Sequence, residues 1–353
     1  MLTALYTILV FCLIIAIHEF GHFAMAKLTG VTVHEFAIGM GPKLVSFSTK
    51  KTKYSLRLLP IGGYVKLEGE DEESDDVNAF CNKKPWQRLL VLFAGAFMNF
   101  VLGFILFIIL TASSKGITTN EVDLVLKDSA FERAGVQSGD VIVKMEGENY
   151  KSKISDYNDI NYFTYKNSMY KLQDSTVRIT FERNGQKIVK DIAPTYVEEY
   201  NREMFGFQTK VIKVTFTNVI PTSYRQSKYV IKVVYESFID LFRGRVPLSD
   251  MSGPVGIVNQ IGEAAEAGMK HNVLQSILNV LYLAALISIN LGVVNLLPFP
   301  ALDGGRILFV LFEIILRRPI DRNKEGIFHM IGFVLLILLM IVITFSDIGR
   351  LFG

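Results

Sequence analysis

Residues His18-Glu19-Phe20-Gly21-His22 place three ionisable side chains within five positions of a stretch that otherwise belongs in lipid. From Leu2 to Lys27 the chain is almost continuously apolar, and these three are its only His, Asp, Glu, Lys or Arg side chains before Lys27. In the pattern H-E-x-x-H the histidines stand at i and i+4, one helical turn apart on one face. They can bind the same Zn²⁺, and the intervening Glu can take a proton from the water such an ion holds. Ionisable groups in a membrane span are costly and tend to be retained for function. A chance H-E-x-x-H on an ordinary buried helix would leave all three uncompensated, whereas a metal compensates them together.

Half of the 353 residues are apolar and the mean hydropathy is +0.33, outside the range of ordinary soluble domains. Four stretches reach the roughly 20 residues needed to cross a bilayer: about Leu2–Ala26, Leu89–Ala112, Val273–Leu297 and Ile327–Phe345. The net charge of +3 and the lack of a basic tract interleaved with aromatics argue against a nucleic-acid partner. The two cysteines, Cys12 and Cys81, make no disulfide framework and decide nothing about compartment. The first span has no basic segment before it and no small-residue cleavage site before the histidines, so it reads as a retained span rather than a signal peptide. Lysine and arginine are concentrated after the first span (Lys27, Lys43, Lys50, Lys51, Lys53, Arg57, Lys83, Lys84, Arg88) and before the last (Arg317, Arg318, Arg322, Lys324). Basic short loops mark the cytoplasmic side, which puts both termini and the central domain outside. His18, about 16 residues along the first span and thus roughly 24 Å deep, then falls in the cytoplasmic half.

Between the first two spans, Val31–Val33, Leu44–Phe47 and Tyr54–Leu58 read as short strands, divided by Gly39-Met40-Gly41-Pro42 and a Lys-rich turn. Leu59–Val65 combines a Pro and two glycines with apolar residues, and Glu70–Asp76 is an acidic loop. The polar stretch Lys115–Glu203 reads as a separate globular domain. Within it, Ser129–Ile142 places a short helix ending at Gly135, a Gly139-Asp140 turn and a strand. Val177–Phe181 and Gln186–Ile192 form a hairpin across Asn184-Gly185. Tyr224–Phe242 is an amphipathic helix, on the domain surface or on the outer membrane face.

Two histidines are too few for a catalytic zinc, which takes three protein ligands and a water. His271 falls outside by the topology above, His34 sits in a cytoplasmic strand, and His329 reads as a packing or interfacial residue. Asn295–Arg306 offers a better third ligand: two prolines break the helix, and Asp303 stands between apolar residues and Gly304-Gly305. Non-helical backbone at membrane depth is tolerated only beside protein or a cavity. The plainer reading of Asp303 is a helix N-cap.

H-E-F-G-H in the first span, N-x-x-P-x-P-x-L-D-G-G late in the chain and a PDZ-like segment between them resemble the site-2 proteases, intramembrane zinc metalloproteases. Within these, the bacterial regulator-of-sigma-E protease group in a single-PDZ form is the nearest in pattern. Gly39–Pro42, Pro60–Lys66, Ala94-Gly95 with Asn99-Phe100, and Gly253–Gly256 agree, while Ala96 departs from a common proline. The resemblance implies one zinc held by His18, His22 and Asp303, with Glu19 as the catalytic base. It further implies single-span membrane protein substrates already cleaved outside by another protease, such as anti-sigma factors, and remnant signal peptides. The location implied is a bacterial inner or cytoplasmic membrane. A helical substrate must be unwound to be cut. The glycine-bearing strands at Gly39, Gly41, Gly62 and Gly63 offer an edge for strand addition. Asn290 and Asn295 are polar groups suited either to holding unwound backbone or to helix–helix hydrogen bonds.

The expected fold is a polytopic α-helical membrane protein of about four spans, with a cytoplasmic, membrane-associated β-rich segment and one extracytoplasmic PDZ-like α+β domain. The expected divisions are 1–27, 28–86, 87–112, 115–205, 206–272 and 273–353. A surface zinc peptidase would carry H-E-x-x-H in a water-exposed domain. A scaffold or transporter with a structural metal would show four Cys or His ligands. Neither pattern is present in the sequence.

Overall fold

The computed structural model describes residues 2–70, 72–148, 150–169, 176–197, 202–247, 251–318 and 320–352. Asp71 of the acidic loop, residues 149, 170–175 and 198–201 of the expected central domain, 248–250 of the expected linker and the Arg322 side chain lie outside the described set. The chain forms two compact units, one of Met1–Leu110 with Val230–Gly353, the other of Thr111–Tyr229.

The first unit begins with α1 (Leu2–Leu28). An apolar run in lipid must satisfy its backbone internally, and a helix does so. Gly30 ends it in the left-handed region (φ 73°), with Val31 N–H returning to the Ala26 carbonyl at 2.8 Å. Next come two long antiparallel strands, β1 (Val33–Ser48) and β2 (Lys53–Leu67). The sequence suggests several short strands here. The pairing agrees: residues 35–38 of β1 pair with 53–56 of β2 on one side and with 63–66 on the other, and 43–48 pair with 53–57, so the chain turns back at Gly39–Pro42 and again before Gly63, where Gly39, Gly41 and Gly62 take positive φ (86°, 81° and 86°). The register therefore orders four short segments side by side, 43–48, 53–57, 35–38 and 63–66.

Among the described residues, four helices are long and apolar enough to cross a membrane: α1, α2 (Pro85–Ser113), α7 (Val273–Asn295) and Lys324–Arg350 within α9 (Arg322–Phe352). Two further helices, α6 (Pro254–Met269) and α8 (Asp303–Leu316), have 16 and 14 residues, fewer than spanning requires. Packing orders them end to end. Gly21 of α1 lies against Ala94 of α2, where an added Cβ would stand 2.3 Å from the Ala94 carbonyl oxygen. α7 runs antiparallel along α2: Ser288 donates to the Asn99 carbonyl at 2.8 Å, and Tyr282 meets Phe107 edge-on at 6.2 Å.

At one end, α6 packs its Gly262 on Thr3, its Ala265 carbonyl accepts from Ser276, and Asp347 of α9 accepts the Gly253 and Gly256 N–H groups at 3.2 and 2.7 Å. The Gly-Pro-Val-Gly segment is therefore the start of a helix capped by a carboxylate from α9. At the other end, Arg88 of α2 pairs with Glu313 of α8 at 2.5 Å, both side chains under a tenth exposed. Removing one partner of such a buried pair leaves an uncompensated charge, so the pair ties α8 firmly to α2.

The second unit is a sheet ordered β10-β3-β4-β6-β7, with β5 added on β4. The strands are β3 (Ile117–Val125), β4 (Val141–Glu146), β5 (Lys151–Lys153), β6 (Val177–Arg183), β7 (Gln186–Ile192) and β10 (Phe207–Ile212). A separate short pair joins β8 (Thr195–Val197) to β9 (Arg202–Met204). Helices α3 (Ala130–Arg133) and α4 (Tyr157–Met169) complete a core centred on Phe131, Ile142, Met145, Phe163, Ile179 and Phe181. Asn184 and Gly185, both at positive φ (51° and 76°), form the turn between β6 and β7. Helix α5 (Phe216–Phe242) begins eight residues before the expected Tyr224 and contains Pro221.

Asp140, one residue before β4, is fully buried, and Arg183 binds it bidentately at 2.6 and 2.7 Å. Burial alone would raise its carboxyl, but the Arg183 and Gln137 N–H bonds hold it below the ordinary value of 3.8. A lowered folded value means that the ionised form stabilises the unit. The contribution is complete above the ordinary value and is lost as pH falls through the lowered one. Asp140→Ala should destabilise this unit by about 2–3 kcal/mol, the scale of hydrogen bonds to charged groups. Faster amide hydrogen exchange in β4 and β6 of the whole protein would report it; unchanged exchange would contradict it.

Candidate metal centre

His18 and His22 lie on the face of α1 turned toward α2 and the start of α8. The His18 and His22 Nε2 atoms are 3.2 Å apart, and Asp303 Oδ2 stands 3.4 Å from the first and 3.3 Å from the second. A tetrahedral ion with ligands at ~2.0–2.1 Å spaces neighbouring ligand atoms ~3.3–3.4 Å apart. The triangle is thus already close to the size a zinc ion imposes. The side chains are 12%, 12% and 19% exposed, and Asp303 Oδ2 is buried with no hydrogen bond of acceptable geometry. An orphaned buried carboxylate oxygen facing two imidazole nitrogens fits a cation and is costly without one.

The far sides of the imidazole rings are also held. His22 Nδ1 is 2.9 Å from the Val91 carbonyl, which can only accept, so the proton is on Nδ1 and Nε2 presents its lone pair to the site. Nδ1 of His18 is approached by the amides of Asn99 (3.3 Å) and Asn295 (3.5 Å). A half-turn exchanges an amide's oxygen and nitrogen. As placed, Asn99 Oδ1 is buried without a partner; turned inward, it accepts the Nδ1 proton and leaves His18 Nε2 free for a metal.

Asp303 reaches this position because α8 begins beside the site. The N-cap position is Leu302, in extended conformation and with no side-chain cap, so the Asp303 carboxylate is not used to cap its own helix. Ala301 sits at φ 70°, a left-handed conformation that costs a non-glycine residue about 1–3 kcal/mol.

A cavity of about 980 Å³ opens beside the triangle, lined in part by Glu19, Val65, Lys66, Glu70 and Arg306. Glu19 projects between the histidines' helix and β2: a Cβ on Gly63 would come within 3.0 Å of Glu19 Cγ. Arg306, one turn after Asp303, pairs with Glu70 at 2.5 Å across this cavity. Glu35 also lines it. Burial would raise its carboxyl, but bonds from Ser55, Tyr64 and Arg57 and the nearby Lys43 charge hold it down to about 2, so it stays ionised at any working pH.

The chain matches the model of Peptidase family M50 over residues 6–339. It belongs to that family. Relatives named "putative zinc metalloprotease" are found in Clostridium acetobutylicum (38% identical over 342 residues, 97% of this chain and 96% of the relative). Others so named occur in Clostridium perfringens (36% over 345 residues, 98% of each) and Fusobacterium nucleatum (36% over 359 residues, the full length of each). Family membership and the four apolar helices make this chain a multi-pass, intramembrane zinc metalloprotease.

Of the residues singled out in the sequence, His18, Glu19, His22 and Asp303 converge, and Gly63 and Asn295 adjoin them. Gly39, Gly41 and Gly62 serve the turns between the paired segments of β1 and β2 and are not among the cavity-lining residues; Asn290 is exposed on α7 and also outside that lining. Sequence reasoning gave no site role to Val91, Gly95, Asn99, Glu70 or Arg306. A backbone carbonyl has no sequence signal, but an asparagine fully buried in an apolar span is a detectable one. Gly95 leaves no space: an added Cβ would stand 2.2 Å from His22 Nε2 and 2.8 Å from His18 Cε1. Gly95→Ala should therefore displace both rings and lower the zinc content of the purified protein well below that of wild type. Full zinc content in that variant, measured by elemental analysis, would show that the rings move aside without loss.

Proposed function

We propose that His18, His22 and Asp303 hold the zinc of this metalloprotease and that Glu19 is its catalytic base. The observation that carries this reading is the near-equilateral triangle of ligand atoms, with edges of 3.2–3.4 Å, closed by an otherwise orphaned carboxylate oxygen. Zinc bound there would polarise the scissile carbonyl and lower the pKa of a water. Glu19, one residue from His18 but turned toward β2, accepts the proton of the attacking water and returns it to the leaving amine. The Gly63–Leu67 part of β2 runs beside Glu19, which supports strand addition as the way an unwound substrate presents its peptide bond. His22→Ala should lose most of the zinc. Glu19→Gln should keep zinc and lose at least about 100-fold in cleavage, the scale of general-base catalysis. Full zinc in His22→Ala would remove the ligand assignment, and wild-type turnover in Glu19→Gln would remove the base.

The substrates in this reading are single-span membrane proteins already trimmed outside by another protease, anti-sigma factors among them, and remnant signal peptides. The enzyme sits in a bacterial cytoplasmic membrane. The Thr111–Tyr229 unit acts as an extracytoplasmic PDZ-like domain, a reading supported by its Ala-Gly…Gly-Asp turn leading into β4 and by a sheet flanked by two helices. The exposed apolar residues Phe216, Ile220, Tyr224, Tyr235 and Phe242 of α5 support contact with the outer membrane face. The basic loops support a cytoplasmic ribbon and active site. Single cysteines at exposed Val77 and Ser138, in a background without Cys12 and Cys81, should label oppositely in intact cells. An impermeant thiol reagent should reach residue 138 and not 77; the reverse pattern would invert the topology.

A further inference from the structure

We propose that His329, on α9, is a positioning residue for Asp303: it holds the backbone two residues upstream and so sets where the carboxylate stands. The inference rests on the reading that Asp303 ligates zinc. A full accounting of backbone donors between α7 and α8 motivates it. Leu296, Leu297, Phe299 and Leu302 each bond to a carbonyl of α7 or of the loop itself, at 3.1, 3.0, 2.7 and 3.3 Å. Pro298 and Pro300 have no N–H. The remaining donor, Ala301 N–H, goes to Nδ1 of His329 at 2.9 Å. It is the one backbone bond of this loop given to a side chain of another helix, and it falls on the residue at φ 70°.

The loop is gripped on both sides of that bond. Gly332, one turn after His329 on the same face of α9, meets Pro300 so closely that a Cβ would stand 2.0 Å from the proline's Cβ. Gly305 of α8 lies against the Phe299 carbonyl, and its Cβ would stand 3.3 Å from His329 Cε1. Phe309 and Phe328 flank the imidazole ring at 5.8 and 5.9 Å and limit its rotation. Because the backbone N–H must donate, Nδ1 is the acceptor and the ring proton is on Nε2, which faces Glu325 at 3.9 Å. Relaxation of Ala301 to a right-handed or extended conformation would swing the Leu302–Asp303 peptide and carry Oδ2 out of the triangle. Sequence reading takes the isolated His329 as a packing or interfacial residue; its role is visible only where α9 crosses the loop.

The test measures zinc affinity of the full-length purified protein, by competition with a chromophoric chelator, with thermal unfolding followed in parallel. His329→Phe keeps the ring shape without the acceptor and should weaken zinc about 10–100-fold, the effect typical of groups that orient metal ligands. His329→Asn sets an oxygen near the Nδ1 position and should retain most of the affinity. His329→Gln, too long to do so, should not. Ala301→Gly removes the backbone penalty at positive φ and should restore part of the affinity lost in His329→Phe. In an Asp303→Ala background, His329→Phe should cause no further loss, since it acts through Asp303.

Wild-type affinity in His329→Phe, equal loss in the Asn and Gln variants, or no recovery with Ala301→Gly would each overturn the proposal. Should His329→Phe fail to insert, the Asn and Gln pair decides alone. Undiminished zinc affinity in Asp303→Ala would instead overturn the ligand reading on which the proposal depends, a distinct outcome.

Discussion

Two imidazoles and one carboxylate converge where helices long and apolar enough to cross a membrane meet, and much of the first unit is arranged to make that convergence tolerable. Each group alone would be expensive at this depth. Together, at spacings a zinc ion matches, they make up the proposed metal site, and the helices pack closely around it. The close approach of α1 to α2 at Gly21 and Ala94 brings the His22 ring to the Val91 carbonyl and both rings against Gly95. Any side chain larger than hydrogen at Gly95 would occupy space the imidazoles need, so helix packing and the geometry of the proposed metal site are one constraint.

The third corner of the triangle is harder to hold, because Asp303 comes from the far end of the chain. It follows a loop containing two prolines, starts a helix too short to span the membrane, and is fixed from several directions. Arg88 and Glu313 tie α8 to α2 through a buried ion pair, Arg306 reaches Glu70 beyond β2, and α9 grips the loop at Pro300 and Ala301. The strain at Ala301 is consistent with a backbone whose path is dictated by where its carboxylate must end.

The β-sheet formed by β1 and β2 runs past the same place. Its glycines let β1 and β2 each turn back on themselves, so that residues 35–38 pair with both 53–56 and 63–66. Its second strand passes Glu19 at Gly63, where no side chain intervenes. The proposed base therefore lies between a metal site and a strand edge, the arrangement that peptide hydrolysis on an extended segment requires.

The sequence alone determined the number and approximate limits of the apolar helices and the pairing of His18 with His22, because both depend on local periodicity and on the cost of charge in lipid. It also marked Asp303 as the odd acidic residue among apolar neighbours and prolines. It left that residue's role open between ligand and N-cap, since both need a helix start preceded by a break. The tertiary structure put Leu302 at the N-cap position and left the carboxylate oxygen without a hydrogen bond, facing two histidines more than 280 positions away. It likewise decided how the short segments between the glycine-rich turns lie side by side in one sheet. Only the fold could assign Val91, Gly95, Asn99 and His329 to the site, because a carbonyl, a missing Cβ, a buried amide and a lone imidazole become meaningful only when packing sets what stands against them.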